Sequence, residues 1–147
     1  MVKVLIKKLD PEVKLPEYKT EGASGMDLIA FIKKPLCVKP NTSLLVPTGI
    51  SIAFSDEYEI QIRPRSGLAA KNNVSVLNTP GTIDSDYRGE IKVIIYNHGN
   101  IDFIINNGDR IAQMVLSPVT KIQLEEISDL PETIRGEGGF GSTGKWN

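Results

Sequence analysis

The chain has 147 residues, a length that fits one compact domain. Its 17 lysine and arginine residues nearly balance its 18 aspartate and glutamate residues, so a net charge of −1 gives no general attraction to nucleic acid or to an anionic membrane. With 40% hydrophobic residues, the composition excludes a disordered protein. We therefore predict one globular domain with no nucleic-acid partner and no membrane partner.

Short apolar or alternating runs, each the length of a β-strand, recur along the chain. They are rich in isoleucine and valine and are separated by proline, asparagine and glycine, which is typical of strands joined by turns. The predicted strands are residues 2–6, 26–32, 43–46, 50–54, 58–62, 74–77, 91–96, 101–105 and 111–116. Many short strands of this kind indicate a β-sandwich, barrel or jelly roll.

One short helix and one unusual tail complete the predicted elements. Residues 66–71 favour one or two helical turns, with Ser66 placed to be the N-cap. From Arg135 onward, five of the thirteen residues are glycine, so we expect this tail to be mobile when nothing is bound. The predicted division is a folded domain over residues 1–134 and an arm over residues 135–147.

The chain contains a single cysteine, Cys37, and a single histidine, His98. No disulfide can form within one chain, and a zinc site built from cysteine and histidine lacks ligands. His98 lies between two apolar runs, where we predict a solvated turn residue rather than a catalytic base. No signal h-region or long uncharged apolar segment is present, which predicts a cytoplasmic protein or one inside an organelle after processing.

Glycine accompanies charged or hydroxyl residues in four segments, and each has a structural as well as a chemical interpretation. The tail offers backbone N–H groups to phosphate oxygens, or it is merely a loose terminus. Two arginines and Ser66 lie at the start of the predicted helix. Either they form an anion site there, or the serine only caps the helix and the arginines are solvated. Gln113 enters an apolar strand, where its amide finds partners or points outward. Asp84 and Asp27 follow turns, so each is a general-base candidate or an ordinary turn aspartate.

Taken together and in order, these segments resemble the five signature motifs of the trimeric deoxyuridine triphosphate nucleotidohydrolases (dUTPases). Motif one is similar to residues 23–30, motif two to 63–69, motif three to 78–97, motif four to 108–114 and motif five to 135–144. The resemblance covers nearly the whole chain. It implies an all-β fold, a β-clip or distorted jelly-roll barrel with one short helix, that assembles as a homotrimer with shared active sites and a flexible glycine-rich C-terminal arm.

The resemblance also implies a reaction. In this family the aspartate similar to Asp84 orients a water that attacks the α-phosphorus of dUTP, which gives dUMP and pyrophosphate; this supplies dUMP for dTTP synthesis and keeps uracil out of DNA. The implied catalytic residues are Asp84, Asp27 and Gln113. The implied cofactor is Mg²⁺, held mainly by substrate phosphates and waters, with the Asp27 carboxylate acting through those waters, an arrangement that suits this ion.

The substrate contacts follow from the same resemblance. The asparagine similar to Asn78 pairs with uracil, and the tyrosine similar to Tyr87 packs on the deoxyribose, where it leaves no room for a 2′-hydroxyl. In the arm, the phenylalanine similar to Phe140 stacks on the base. The full implied set of substrate-binding residues is Arg65, Ser66, Gly67, Asn78, Gly81, Thr82, Ile83, Asp84, Tyr87, Lys92, Gln113, Arg135, Phe140, Gly141, Ser142 and Thr143.

Three other functions compete with this interpretation. The dCTP deaminases share the fold but carry a glutamate on the strand after motif three, whereas residues 91–95 contain no carboxylate here. A dUTP-binding regulatory protein would hold the nucleotide without hydrolysing it. A capsid-like structural jelly roll would leave the phosphate-binding residues unexplained.

Overall fold

The computed structural model describes residues 1–139. Within them the chain forms eleven β-strands and one short α-helix. In chain order these are β1 (Leu5–Lys8), β2 (Met26–Ile29), β3 (Leu36–Val38), β4 (Ser43–Pro47), β5 (Ile50–Ala53), β6 (Tyr58–Arg63), α1 (Ser66–Asn72), β7 (Val74–Val76), β8 (Gly81–Ile83), β9 (Lys92–Asn97), β10 (Phe103–Ile105) and β11 (Arg110–Pro118). The all-β prediction is confirmed.

The strands pair antiparallel in four small sheets. One has the order β2-β11-β6-β8 and another the order β4-β9-β7, while β1 pairs with β5 and β3 with β10. Strands distant in sequence are neighbours in each sheet, as in a jelly roll. The long strand β11, which follows the helix in sequence, lies between β2 and β6, which both precede it.

Isoleucine and valine fill the core because alternate residues of each strand face inward. In β9, Val93, Ile95 and Asn97 are buried while the residues between them are not. Asn97 is satisfied inside the core: its Nδ2 donates to the carbonyls of Val38 (2.9 Å) and Ile101 (2.7 Å). The other fully buried large side chains include Leu28, Ile50, Ile60, Ile91, Ile105 and Ile111.

The structure corrects three sequence expectations. Strands β3 and β8 were not predicted, because the first has only three residues between prolines and the second contains a glycine in a turn-like stretch. Ser66 is not the N-cap of α1; it is the first helical residue, and Arg65 occupies the cap position without a side-chain cap hydrogen bond. The Ser66 hydroxyl is therefore not used by the helix as a cap.

Beyond β11 the described chain leaves the folded body. The backbone N–H of Val119 donates to the carbonyl of Glu57 (2.8 Å), and no strand follows up to residue 139. Exposed apolar side chains continue along this segment, with Ile122 80% and Leu124 86% exposed. The division at residues 134 and 135 remains a prediction. No helix within residues 1–139 is long and apolar enough to cross a membrane.

Candidate functional site

Asp27, Arg65 and Arg110 form a closed cluster, the arginine–carboxylate cluster. Asp27 accepts from Arg65 Nε at Oδ1 (2.8 Å) and from Arg110 Nη1 at Oδ2 (3.1 Å). Arg65 Nη1 also donates to the carbonyl of Arg110 (3.2 Å). The Asp27 side chain is 17% exposed and that of Arg65 26%, so this ion pair is partly shielded from water, whereas the Arg110 side chain is 49% exposed.

Strand pairing explains why distant parts of the sequence meet at this cluster. Gln113 in β11 lies opposite Asp27 in β2 and opposite Arg63 in β6, which puts the three side chains in one row on one face of the sheet. Gln113 Nε2 donates to the carbonyl of Pro64 (3.0 Å), which immediately precedes Arg65. The structure thus brings motifs one, two and four together.

Ser66 and Gly67 lie next to the cluster, where β6 ends and α1 begins. The space in front of Gly67 is open, because a Cβ built there would meet nothing within 4 Å. A free serine hydroxyl and an unobstructed backbone are suited to oxygen atoms of an anionic ligand.

A second group of predicted residues surrounds a cavity of about 430 Å³, the hairpin cavity. Asp84 and Tyr87 lie on the loop between β8 and β9, where the backbone N–H of Tyr87 donates to the carbonyl of Asp84 (3.1 Å), and Asn78 lies just before β8. The complete lining is Leu45, Asn78, Thr82, Ile83, Asp84, Tyr87, Glu90, Lys92 and Ile94. Six of the predicted substrate-binding residues therefore share one cavity.

Two glycines allow the close contacts that shape this cavity. A Cβ on Gly81 would lie 3.2 Å from Asn78 Nδ2, and a Cβ on Gly89 would lie 2.3 Å from the Tyr87 hydroxyl. Tyr87 can therefore lie over Gly89, and its hydroxyl donates to the carbonyl of Glu90 (3.0 Å). These contacts fix the ring at the rim of the cavity.

The hairpin cavity and the arginine–carboxylate cluster are separate within one chain. Ile83 pairs with Ile60, so Asp84 lies near the start of β6, whereas Gln113 pairs with Arg63 at its end. From strand rise and strand spacing, the Cα atoms of Asp84 and Gln113 are about 16 Å apart. That distance exceeds the reach of one hydrogen-bonded water. Within a single copy, Asp84 and Gln113 therefore cannot contact the same phosphate group.

The arm is described only in part. Arg135 Nε donates to the carbonyl of Gly138 (2.7 Å) in a local turn. The predicted substrate-binding residues Phe140, Gly141, Ser142 and Thr143 lie outside the described residues.

Residues missing from the predicted site set also shape these two groups. Arg110 belongs to the segment similar to motif four but is not in the predicted site set. The only sequence feature that indicates a role for it is a positive charge directly before a predicted strand. A Cβ on Gly25 would lie 2.8 Å from Gln113 Oε1, so Gly25 makes room for that amide. Glu90 Oε1 accepts from the backbone N–H of Gly49 (2.9 Å), which ties the loop before β9 to a turn far away in sequence.

Three titratable side chains that belong neither to the arginine–carboxylate cluster nor to the lining of the hairpin cavity are Glu17, Cys37 and His98. The Lys19 ammonium hydrogen-bonds Glu17 and holds the pKa of that carboxyl below its usual range. Desolvation and then the nearby Asp102 carboxyl raise the pKa of the Cys37 thiol. His98 is exposed, as predicted, and shares a hydrogen bond with Ser75 Oγ (2.7 Å).

Comparison with known proteins identifies the family of this chain. The family model described as dUTPase matches residues 11–144. A deoxyuridine 5'-triphosphate nucleotidohydrolase of Rickettsia massiliae is 57% identical over 145 residues, which cover 98% of each chain.

Solved structures support the same fold. The dUTPase of Staphylococcus bacteriophage 80alpha, a mutant with dUpNHpp, superposes with a TM-score of 0.86 at 21% identity and covers 97% of this chain and 98% of that one. A mutant dUTPase from phage phi11 of S. aureus, described as coordinating a structural Mg(II) ion, has a TM-score of 0.79 at 18% identity, over 88% and 99% of the chains. On the family match and the 57% identity over almost its whole length, the chain belongs to the dUTPase family.

Proposed function

We propose that this protein is a dUTP diphosphatase, which hydrolyses dUTP to dUMP and pyrophosphate. The observation that carries the proposal is the position of Asp84, an exposed carboxylate on the wall of a cavity that Asn78 and Tyr87 also line. The relatives named deoxyuridine 5'-triphosphate nucleotidohydrolase support the same substrate and reaction. Asp84 is the proposed general base, which takes a proton from the water that attacks the α-phosphorus.

The hairpin cavity is the proposed nucleoside site. The Asn78 amide pairs with uracil, but an amide can turn to match either order of donor and acceptor. Backbone groups of the strand Gly81–Ile83 must therefore fix the choice of uracil over cytosine. The Tyr87 ring is held by the Glu90 carbonyl, so it can exclude a 2′-hydroxyl by lying flat against C2′.

The arginine–carboxylate cluster and its neighbours are the proposed phosphate site. Arg65 supplies a guanidinium, which suits phosphate oxygens, while Ser66 and Gly67 supply a hydroxyl and backbone N–H groups. The Gln113 amide is anchored on the Pro64 carbonyl and can donate its second N–H to a phosphate oxygen. Binding here orients the phosphate chain for in-line attack.

The donor set fits Mg²⁺ held mainly by the substrate. Within residues 1–139 no three carboxylate, histidine or cysteine side chains group as metal ligands, so a cage made of protein alone is not what the chain offers. Asp27 keeps acceptor capacity on both oxygens after binding two arginines, which allows it to accept from metal-bound waters. The ion would neutralise charge on the phosphates when bound.

The complete site requires a second copy of the chain. The two halves of the proposed site are about 16 Å apart within one copy, so a neighbouring copy must place its hairpin cavity against the phosphate site. The exposed apolar side chains after β11 also need a partner surface, since Leu130 is 82% and Ile134 110% exposed. Both observations support the homotrimer with shared active sites.

The arm is the proposed lid. Arg135, Ser142 and Thr143 would close over the γ-phosphate, and Phe140 would stack on the base. Closure would exclude bulk water and hold the reacting groups in line. A cytoplasmic location remains part of the proposal.

Two of the competing functions predict different assay results. A dCTP deaminase would release ammonia, but strand β9, Lys92–Asn97, carries no carboxylate, and Ile94 faces the cavity. A dUTP-binding regulatory protein would bind without turnover.

The experiment is pyrophosphate release from dUTP, dCTP, dTTP and UTP in parallel, with Mg²⁺ and with EDTA, together with an ammonia assay on dCTP. We expect release from dUTP alone, and its loss in EDTA. Ammonia from dCTP would indicate the deaminase, and binding of dUTP without any release would indicate the regulatory protein.

A further inference from the structure

The sheet is irregular at the point where Arg110 enters it. Arg110 pairs with Ile29, yet Ala112 pairs with Leu28, so two residues of β11 oppose one residue of β2. This is a β-bulge, a device that redirects a side chain. In regular pairing Arg110 would lie opposite Ala30, which is buried in the core.

The bulge moves Arg110 to the face that carries Asp27. Ile29 lies two residues after Asp27 in the same strand, so the two share a face, and the partner of Ile29 shares it too. Ile111 and Ala112 are both buried. In a regular strand Arg110 would share a face with Ala112, so it could not lie on the face of Asp27. The bulge therefore gives the cluster its second guanidinium while the core keeps both apolar side chains.

We infer that Arg110 is a positioning residue for phosphate binding, which acts through Asp27 on Arg65. The inference rests on the proposed function. Arg110 occupies Asp27 Oδ2 and offers its own carbonyl to Arg65 Nη1, so it holds both ends of the Asp27–Arg65 pair. It also neutralises the Asp27 charge, which would otherwise repel the incoming phosphates.

The test is a double-mutant cycle between Arg110→Gln and Asp27→Asn in the full chain. KM and kcat for dUTP are measured, together with the Kd of inorganic pyrophosphate by calorimetry. Arg110→Gln is expected to raise KM and the pyrophosphate Kd about fivefold, with kcat changed by less than about twofold. In the Asp27→Asn background the same substitution should change both constants by less than about twofold, because its intermediary is already lost.

Three controls separate positioning from folding. Arg110→Lys keeps a cation near Asp27 and should restore part of the affinity, and it serves as the test if Arg110→Gln fails to fold. Lys39→Gln removes an exposed charge just after β3, outside the arginine–carboxylate cluster and the hairpin cavity, and should leave all constants unchanged. The melting temperature of each variant is recorded alongside.

The inference is overturned if Arg110→Gln matches the wild type, or if it weakens binding equally in both backgrounds. Failure of the proposed function is a different result: the wild type would then not hydrolyse dUTP, while the pyrophosphate titrations of the four proteins would still decide the role of Arg110.

Discussion

Gly25→Ala tests whether close packing of β2 on β11 sets the position of the Gln113 amide. A Cβ at residue 25 would lie 2.8 Å from Gln113 Oε1, 3.1 Å from Val115 Cγ2 and 3.3 Å from the Met114 carbonyl oxygen. The amide, which is the flexible end of the Gln113 side chain, must shift to make room, and this shift weakens the bond from Gln113 Nε2 to the Pro64 carbonyl (3.0 Å).

Both stability and substrate binding should fall. Because the nearest atom is the end of a flexible side chain, the cost should lie at the lower end of the range for overpacking, about 1 kcal/mol, which for a chain of this size lowers Tm by about 3 °C. Weakening of the anchoring hydrogen bond, worth about 0.5–1.5 kcal/mol, should raise KM for dUTP about two- to tenfold. Thermal unfolding at fixed protein concentration and steady-state kinetics measure the two effects.

Gly22→Ala is the matched control, because a Cβ at that position of the same loop meets nothing within 4 Å. It should melt within about 1 °C of the wild type and keep its KM. If Gly25→Ala also behaves like the wild type, the packing argument for Gln113 is wrong.

Two substitutions and one deletion test the general base, the arm and a buried hydrogen bond of the turn between β4 and β5. Asp84→Asn should lower kcat about 10²- to 10⁴-fold while dUTP still binds in a titration, and near-normal kcat would remove the general-base role. Deletion of residues 135–147 should abolish most hydrolysis with an unchanged Tm, whereas full activity would exclude the arm from the mechanism. Thr48→Val removes the buried hydrogen bond from Thr48 Oγ1 to the Ile91 carbonyl (2.6 Å) and should cost about 1–3 kcal/mol in a denaturant titration. Thr42→Val, which removes an exposed bond, should cost clearly less; equal losses would refute the burial argument.

The sequence predicted the strands that bury a regular apolar face. Strand β9 alternates cleanly, and its predicted range of 91–96 differs from Lys92–Asn97 by one residue at each end. Strand β11 runs longer than predicted, from Arg110 to Pro118, because partners on both sides extend its pairing. Short strands such as Leu36–Val38 depend on a distant partner, which no local pattern reveals.

The candidate site was predicted in parts rather than as a geometry. Asn78, Asp84 and Tyr87 lie in one cavity because they belong to one short segment, residues 78–87, which the sequence already places together. The pairing of Asp27 with Arg65 and Arg110 depends on strand register and a bulge, and these follow from tertiary contacts. The incorrect N-cap assignment of Ser66 shows the same limit. The helix begins one residue earlier than predicted, and such a difference of one residue moves the cap from Ser66 to Arg65.

The most direct test of the shared site is activity in mixed oligomers of two inactive variants. Asp84→Asn and Gln113→Ala, each nearly inactive alone, are co-expressed in equal amounts and purified as hybrids through two different tags. If each site takes Asp84 from one copy and Gln113 from the next, every mixed trimer has one intact site in three, so the purified hybrids should show about a third of the wild-type dUTP hydrolysis. Hybrids that stay as inactive as the separate variants would contradict the account, because both residues would then act within the same copy.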